Sequence, residues 1–381
     1  MEGPRPARRE EFDQVMELVN LVFRPDGPRT MGSEFPLVFN PANTENLRVI
    51  VEDGRPVSNI SLKQWPISVC GCAAKIGSIG SVCTHPDYRG KGYASKILKH
   101  CIEDLDVSGG SLMLISGNRG LYQRIHSTPV GKMFLFRVPA DDAKKTRDDA
   151  FTVRPADPAN QAEYARLHQQ EAVRFVRLPI HWEQMLHVAI RQEEPRTRPL
   201  YEILRKDELV AYVALMLPTR SYQKGLARLI EYVGSREAVA AALHQVLAEC
   251  GLGEVELRVP AYDVGMKVQA LRFGVEPSVG SMPGTWKMVN LPRFMGTFWH
   301  YLEEKLGEET TRDLFFSDED GNYILRYRDE RFKPTDGTHL MRILFGSAND
   351  PISLGEAPEG LREILKAVTP IPLPLPGMNS V

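Results

Sequence analysis

Arg5-Pro6-Ala7 and Arg154-Pro155-Ala156 each stand ahead of a helix-forming stretch, and the same succession of elements follows both. In the first stretch Phe12, Val15, Met16, Val19, Val22 and Phe23 recur at helical spacing; in the second, Tyr164 and Leu167 mark the apolar face. A hairpin is then predicted twice. Residues 47–51 and 57–62 flank Glu52-Asp53-Gly54-Arg55, and residues 201–204 and 210–215 flank Lys206-Asp207-Glu208. Strand-then-helix pairs follow, with strands at 79–84 and 229–233, and further strands come at 112–115 and 255–259. Two copies of one α/β unit are therefore what any fold of this chain has to accommodate.

With 381 residues there is room for a third unit. From about residue 285 the pattern changes to a strand at 285–289 and a helix opened by Pro292, with Phe298, Leu302 and Leu306 on one face. A hairpin at 314–316 and 323–327 and two short helices at 339–345 and 361–368 complete an α+β unit. The predicted organisation is three units, 1–150, 151–284 and 285–381. The acidic turn at 318–322 lacks the ligand spacing and closing Glu of an EF-hand.

Net charge is only −2, so nothing drives the chain broadly toward nucleic acid or anionic membranes. No run approaches the roughly 18–20 apolar residues of a membrane span, and the segment from Met1 to Arg9 lacks the apolar core of a secretory signal. Five cysteines, an odd number, fit a reducing cytoplasm better than a disulfide framework. Cys70-Gly-Cys72 has no second Cys/His pair at zinc spacing, so no metal site is expected.

The two copies part company where strand meets helix. In the first, Thr84 leads into His85-Pro-Asp-Tyr-Arg-Gly-Lys-Gly92; in the second, Val233-Gly234-Ser235 turns directly into the helix. Ala94, Ile97, Leu98, Cys101, Ile102 and Leu105 give the first copy's helix its buried face. Its first turn therefore offers free N–H groups and the positive end of the dipole. Gly90 and Gly92 admit close backbone approach, and Arg89 and Lys91 add charge, which together make a cradle for a pyrophosphate. The run is neither a P-loop nor a dinucleotide fingerprint.

The run Val82-Cys-Thr-His-Pro-Asp-Tyr-Arg-Gly-Lys-Gly-Tyr-Ala94 resembles the signature of the GNAT acetyltransferase superfamily. The whole layout resembles the Eis-like (enhanced intracellular survival) acetyltransferases: tandem GNAT folds, the second degenerate, then a sterol-carrier-like α+β domain. That resemblance implies direct transfer of acetyl from acetyl-CoA to a primary amine of a polyamine, an aminoglycoside-like compound or a lysine side chain, small molecule or peptide. It implies that Arg89, Gly90, Lys91, Gly92, Tyr93, Ala94 and Ser95 hold the pyrophosphate and that Val82, Cys83 and Thr84 pair with the pantetheine arm. Asn118 joins the same cofactor set. Asp26 and Glu34 fall where this fold builds its acceptor lip and would attract a cationic amine. Homo-oligomers, hexamers among them, follow from the resemblance too.

The chemistry needs a base and an acid, because an alkylammonium is neutral only about 0.04% of the time at pH 7. In Arg119-Gly-Leu-Tyr-Gln-Arg124, Tyr122 stands where the family's proton donor is expected, with Arg119 or Arg124 expected to favour its phenolate. The family's usual Phe-Gly-Tyr-Gly continuation is replaced here by Ile125-His126-Ser127-Thr128. The uncharged tail Pro370-Ile-Pro-Leu-Pro-Leu-Pro376 could bring the C-terminus back, and in the Eis-like proteins the terminal carboxylate, here that of Val381, is the base. A packed Tyr122 and a tail that merely packs are the plainer alternatives. His85 and His126 could relay protons, and Cys83 could carry acetyl, although each suits an ordinary structural role. The competing class is a non-catalytic acyl-CoA or lipid carrier or sensor built on the third unit.

Overall fold

The computed structural model describes residues 1–25, 30–190, 198–218, 225–319, 321–348 and 354–379. The strands of the first half are β1 (Glu2–Pro6), β2 (Leu47–Glu52), β3 (Arg55–Val69), β4 (Cys72–Thr84), β5 (Leu112–Ile115), β6 (Met133–Pro139), β7 (Phe151–Pro155) and β8 (Val173–Phe175). Then come β9 (Leu200–Arg205), β10 (Glu208–Met216), β11 (Arg228–Gly234), β12 (Glu254–Pro260), β13 (Ser278–Gly280), β14 (Thr285–Met288), β15 (Leu314–Glu319), β16 (Asn322–Tyr327) and β17 (Glu330–Phe332). They form an α/β protein with two large mixed sheets and one small antiparallel one.

The first sheet runs β1-β2-β3-β4-β5-β14, and β8 adds to the far end of β3; the second runs β13-β6-β12-β11-β10-β9-β7. Each sheet holds one parallel pair, β4 with β5 and β11 with β12, because a helix connects those strands. In the first unit that helix, Tyr93–Val107, buries Ile97, Leu98, Cys101 and Leu105, four of the six positions its spacing singled out; Ala94 and Ile102 are half-buried. They pack on Ile79, Met113 and Ile115 of the sheet. The opposite face receives the helix Phe12–Phe23 through Val15, Leu18 and Val19.

The sheets do not follow the unit boundaries. β6, from the first 150 residues, pairs with β12 along Glu254↔Pro139 to Pro260↔Met133 in the second sheet. Reciprocally, β14 closes the first sheet against β5, from Thr285↔Ile115 to Met288↔Leu112. The strand expected to open the third unit is thus the edge of the first, and residues 133–139 leave the 1–150 unit for the second. Alternating apolar residues identify a strand but not its partner. Trp286 and Met288 are fully buried, which is what the exchange contributes to the core.

The remaining C-terminal unit is the sheet β15-β16-β17 packed by helices Leu291–Thr297, Trp299–Leu306, Gly337–Phe345 and Glu359–Val368. The single helix predicted after Pro292 is broken at Phe298, whose N–H is shared between the carbonyls of Phe294 and Met295. Leu361, Ile364, Leu365 and Val368 line the buried side of the last helix. Beyond it the proline-rich tail is buried rather than solvated: Ile371 donates to the Leu344 carbonyl at 2.7 Å, and Ile371 and Leu373 join the main core. No helix among the described residues is long and apolar enough to cross a membrane.

Truncating the exchanged strand's anchor, Trp286→Ala, should lower stability by about 3–5 kcal/mol, the range for a buried large-to-small change. Because the exchange ties the sheets together, urea denaturation should show one transition shifted to lower midpoint; two separated transitions would refute the coupling.

Candidate active site at the strand fork

Strands β4 and β5 run side by side for four residue pairs, Ile76↔Leu112 to Ile79↔Ile115, with a closing bond from Ser116 N–H to the Ile79 carbonyl (3.3 Å). Past that point they part. Asn59 faces Cys83 but Ser61 faces Gly80, so Ile60 has two residues opposite it, Ser81 and Val82. Such a bulge bends its strand and adds twist. Ser81 takes up the bend with φ of 52°, in the left-handed region. Residues 80–84 consequently pair only with β3, leaving their other edge open toward the space that β5 has vacated. A crevice at the carboxyl ends of parallel strands is where α/β sheets place ligands.

One arm of the fork leads into the cradle. Gly90 and Gly92 have φ of 80° and 76°, and a Cβ at either would touch nothing within 4 Å. The glycines are there for backbone conformation, in an open loop. The N–H groups of residues 90–95 find no acceptor among the described residues; the first bond of the helix is Lys96 N–H to the Gly92 carbonyl, at 3.1 Å. Arg89 reaches back to the Thr84 carbonyl (3.4 Å) and is otherwise exposed. Lys91 lies over the Tyr88 ring at 4.7 Å and 3.9 Å from Glu52, and Tyr93 hydrogen-bonds Glu52. The cradle's attraction for an anion therefore rests on amides, dipole and Arg89 more than on Lys91.

The other arm leads through Ser116–Arg119 to a single helical turn, Gly120–Gln123, that carries Tyr122. The ring is buried against Ile115 and the cofactor-side core, 3.2 Å from where a Gly117 Cβ would stand. Its hydroxyl makes no hydrogen bond among the described residues. Burial pushes the Tyr122 pKa up, and the Arg119 charge, which pulls it down, is outweighed. The expected phenolate is thus not favoured, and the hydroxyl stays protonated. Asn118 is exposed on the same loop and accepts from Gln123 at 3.2 Å. This loop is pinned from the exchanged strand, since Thr285 Oγ1 donates to the Gly117 carbonyl (3.0 Å) and accepts from Ser127 Oγ (2.8 Å).

The other sequence candidates scatter. Asp26 and Val381 lie outside the described residues. Glu34 is paired with Arg24, whose Nε is 2.9 Å away, so its charge is already spoken for. His85 accepts the Asp87 N–H (3.3 Å) as a cap, while His126 stands 3.7 Å from Asp336 of the third unit. Burial raises the Cys83 thiol to about 12, which disfavours an acetyl-cysteine route.

Sequence reasoning missed the feature on the opposite face. There a cleft of about 200 Å³ opens at the fork between Ser78, Leu114 and Ser116 of the first unit and Met216, Arg228, Ile230 and Arg258 of the second. Leu375, Pro376, Gly377 and Asn379 of the tail form its floor. The tail is held by a buried pair in the second unit. Arg177 grips Glu231 through two bonds (2.8 and 2.6 Å) and donates to Asn379 Oδ1 (2.8 Å), while the Tyr212 hydroxyl (2.9 Å) and the Met378 N–H (3.0 Å) donate to the Glu231 carboxylate. Burial works against the Glu231 charge, but Arg177 prevails and holds its pKa down to about 2. No sequence spacing links Arg177, Glu231 and Asn379.

The second unit's own fork shows why it differs. There β11 and β12 pair only at Arg228↔Glu256 and Leu229↔Leu257 before parting. At the helix start, where the first unit leaves amides open, Glu171 accepts from Gly234 N–H (3.0 Å) and Ser235 Oγ from Ala238 N–H (3.2 Å). Arg236 fastens Glu171 (2.6 Å) and Asp263 (3.0 Å) in place. The protein's own carboxylates occupy the anion site.

Residues 4–125 match the acetyltransferase (GNAT) domain family, so the unit that holds the open cradle is an N-acetyltransferase domain. No curated protein sequence matches the chain. Among solved structures, a GCN5-related N-acetyltransferase from Anabaena variabilis is 16% identical over 97% of both chains, with a TM-score of 0.64. One from Kribbella flavida is 14% identical over 97% of both, with a TM-score of 0.63. Eis1 from Mycobacterium abscessus is 14% identical over 97% of this chain and 96% of its own, with a TM-score of 0.60. These likenesses show that the chain shares the α/β fold of these GNAT acetyltransferases over nearly its whole length.

Gly92→Ala should weaken acetyl-CoA binding about tenfold in calorimetric titration, since a left-handed non-glycine costs about 1–2 kcal/mol and moves the amides. Gly71→Ala, also at positive φ with empty space around it, is the control: it should lose stability alone. The tail clamp predicts a pH response. Burial, then the Arg177 charge, depress His168 to about 3, so the folded protein keeps it neutral where an unfolded chain takes up a proton below about 6.5. Stability should fall as pH drops from about 6.5 toward 3, and Glu231 adds its loss below about 4.5. His168→Phe should flatten the fall in melting temperature between pH 6.5 and 5; an unchanged slope would rule His168 out.

Proposed function

We propose that the chain is an Eis-like acetyltransferase that moves acetyl from acetyl-CoA directly to the primary amine of a small molecule or peptide, with all chemistry in the first unit. The observation that carries this reading is the run of acceptor-less N–H groups over residues 90–95, at the positive end of the helix Tyr93–Val107. In this reading those amides and Arg89 hold the pyrophosphate, and the free edge of Val82, Cys83 and Thr84 binds the pantetheine arm and orients the thioester carbonyl. The amine approaches through the cleft on the opposite face of the sheet, between Ser78 and the tail.

Proton traffic then has two ends. Tyr122, neutral and buried beside the β5 arm, donates to the departing sulfur. With a phenol pKa above about 10 and a thiol near 8.5, full transfer is uphill by more than about 2 kcal/mol. Its contribution is a hydrogen bond that strengthens as the thiolate forms, with the proton restored from solvent. At the amine, the terminal carboxylate of Val381 serves as base. The support for that role is the anchoring of Asn379, two residues earlier, at the cleft by Arg177. The small C-terminal unit reads as the sterol-carrier-like module, and its function here is to launch the tail. An odd number of cysteines, five, supports a cytoplasmic setting. Exposed Val264, Val268 and Leu271 along one helix support assembly into homo-oligomers.

Thiol release from acetyl-CoA across a panel of amines tests the proposal. Tyr122→Phe should lower kcat by about 10²-fold or more with little change in KM for acetyl-CoA, and removing residues 380–381 should do likewise for the amine-dependent rate. Acetyl-CoA binding without release to any amine would sink the assignment.

A further inference from the structure

The described lining of the acceptor cleft contains no carboxylate side chain. It contains two guanidinium groups, Arg228 and Arg258, which share one nearby carboxylate, Glu256, at 3.8 and 2.7 Å. Among the described residues one positive charge is left over, beside the apolar side chains of Ile79, Leu114, Met216, Ile230 and Leu375; the Val381 carboxylate proposed above as base would face the amine rather than these arginines. Asn379 adds a donor. Its Oδ1 receives both Arg177 bonds (2.8 and 2.6 Å), which fixes the orientation of the amide. Its Nδ2 is therefore left buried without an acceptor among the described residues, on a residue 1% exposed. An unpaired buried donor costs free energy unless something in the cleft accepts from it. On the fork side, Ser78 Oγ is likewise buried and unpartnered.

These groups ask for a ligand that brings negative oxygen. Of the two carboxylates expected to draw a cation, Asp26 lies outside the described residues and Glu34 is paired with Arg24. The volume, about 200 Å³, lies below the roughly 300–1,000 Å³ of sites for drug-sized ligands. We infer that the acceptor is a small amine that also carries a carboxylate, held with its anionic end against Arg258, Arg228 and Asn379 Nδ2 and its amine toward the fork. This inference rests on the acetyltransferase reading above and narrows it: polyamines and aminoglycosides would bring like charge to the arginines. The step itself is unchanged: the ammonium gives a proton to the Val381 carboxylate, which releases it to solvent, the neutral nitrogen bonds the acetyl carbon, and the C–S bond breaks; the thiolate is hydrogen-bonded by Tyr122 and takes up the proton that the nitrogen loses on forming the amide.

Matched probes decide it: 4-aminobutanoate, 4-aminobutanamide and 1,4-diaminobutane, with an α-amino acid alongside, each measured by thiol release from acetyl-CoA in the full-length protein. The carboxylate-bearing amines should exceed the amide and the diamine at least tenfold in kcat/KM. Arg258→Gln should erase that preference mainly through KM, and Arg258→Glu should reverse it toward the diamine. Arg228→Gln, more exposed and farther from Glu256, guards against a folding artefact and should reduce the preference too. A diamine that wins in the wild type, or a preference indifferent to both arginines, overturns the inference while leaving the acetyltransferase reading intact. Absence of release with every probe and with the broader amine panel would instead bring down both.

Discussion

The exchange of β6 for β14 is the constraint from which the rest of the molecule follows. Each large sheet is finished by a strand from beyond its own unit, and both exchanged strands pair antiparallel with the second strand of a parallel couple, β5 or β12. That arrangement brings the two forks close enough for Arg228 and Arg258 of one sheet to face Ser78 and Leu114 of the other across a single cleft. It also fixes the Tyr122 loop from outside. The Thr285 hydroxyl, on an exchanged strand, holds the Gly117 carbonyl, and Tyr122 packs on that glycine.

The two forks show how one backbone scheme serves opposite ends. In the first, a bulge opens the strand edge, and glycines at positive φ keep six amides unclaimed among the described residues. In the second, the helix start is capped by Ser235 and Glu171, with Arg236 and Asp263 completing a charge network inside the chain. The nearby polar residues acquired another task. Arg177 and Glu231 form a buried pair whose desolvation is offset only because the partners are bidentate and because Tyr212, Asn379 and Met378 use the remaining lone pairs and protons. Such a pair is a poor source of net stability but a strict specifier of geometry, and here the geometry it specifies is the path of the tail.

Much of this was legible in the chain. Helical spacing located Ile97, Leu98, Cys101 and Leu105, and the glycine-basic run located the cradle, because both are local: their physics is set within a few residues. The repeat, too, was visible as order. What stayed hidden was pairing over distance. Residues 285–289 read correctly as a strand, yet nothing in five residues names β5 as partner. Arg177, Glu231 and Asn379 are 54 and 202 residues apart along the chain, so their meeting is a product of tertiary structure. The sign at Tyr122 was misjudged for a related reason. A basic neighbour is read from sequence, whereas the burial that outweighs it is known only after folding.

The exchanged strand also sets a timetable for biosynthesis. Gly117 and the Thr285 hydroxyl that holds its carbonyl are 168 residues apart. At about 5–20 residues per second, a ribosome needs on the order of ten to thirty seconds to bridge that interval. Throughout it the nascent first sheet has an unpaired β5 edge, and the Tyr122 loop lacks its tether. The N-acetyltransferase domain is made well before the strand that finishes it, so a chain interrupted before residue 288 would leave the ribosome with an open helix start but an unclosed sheet, a substrate for chaperones rather than a finished fold.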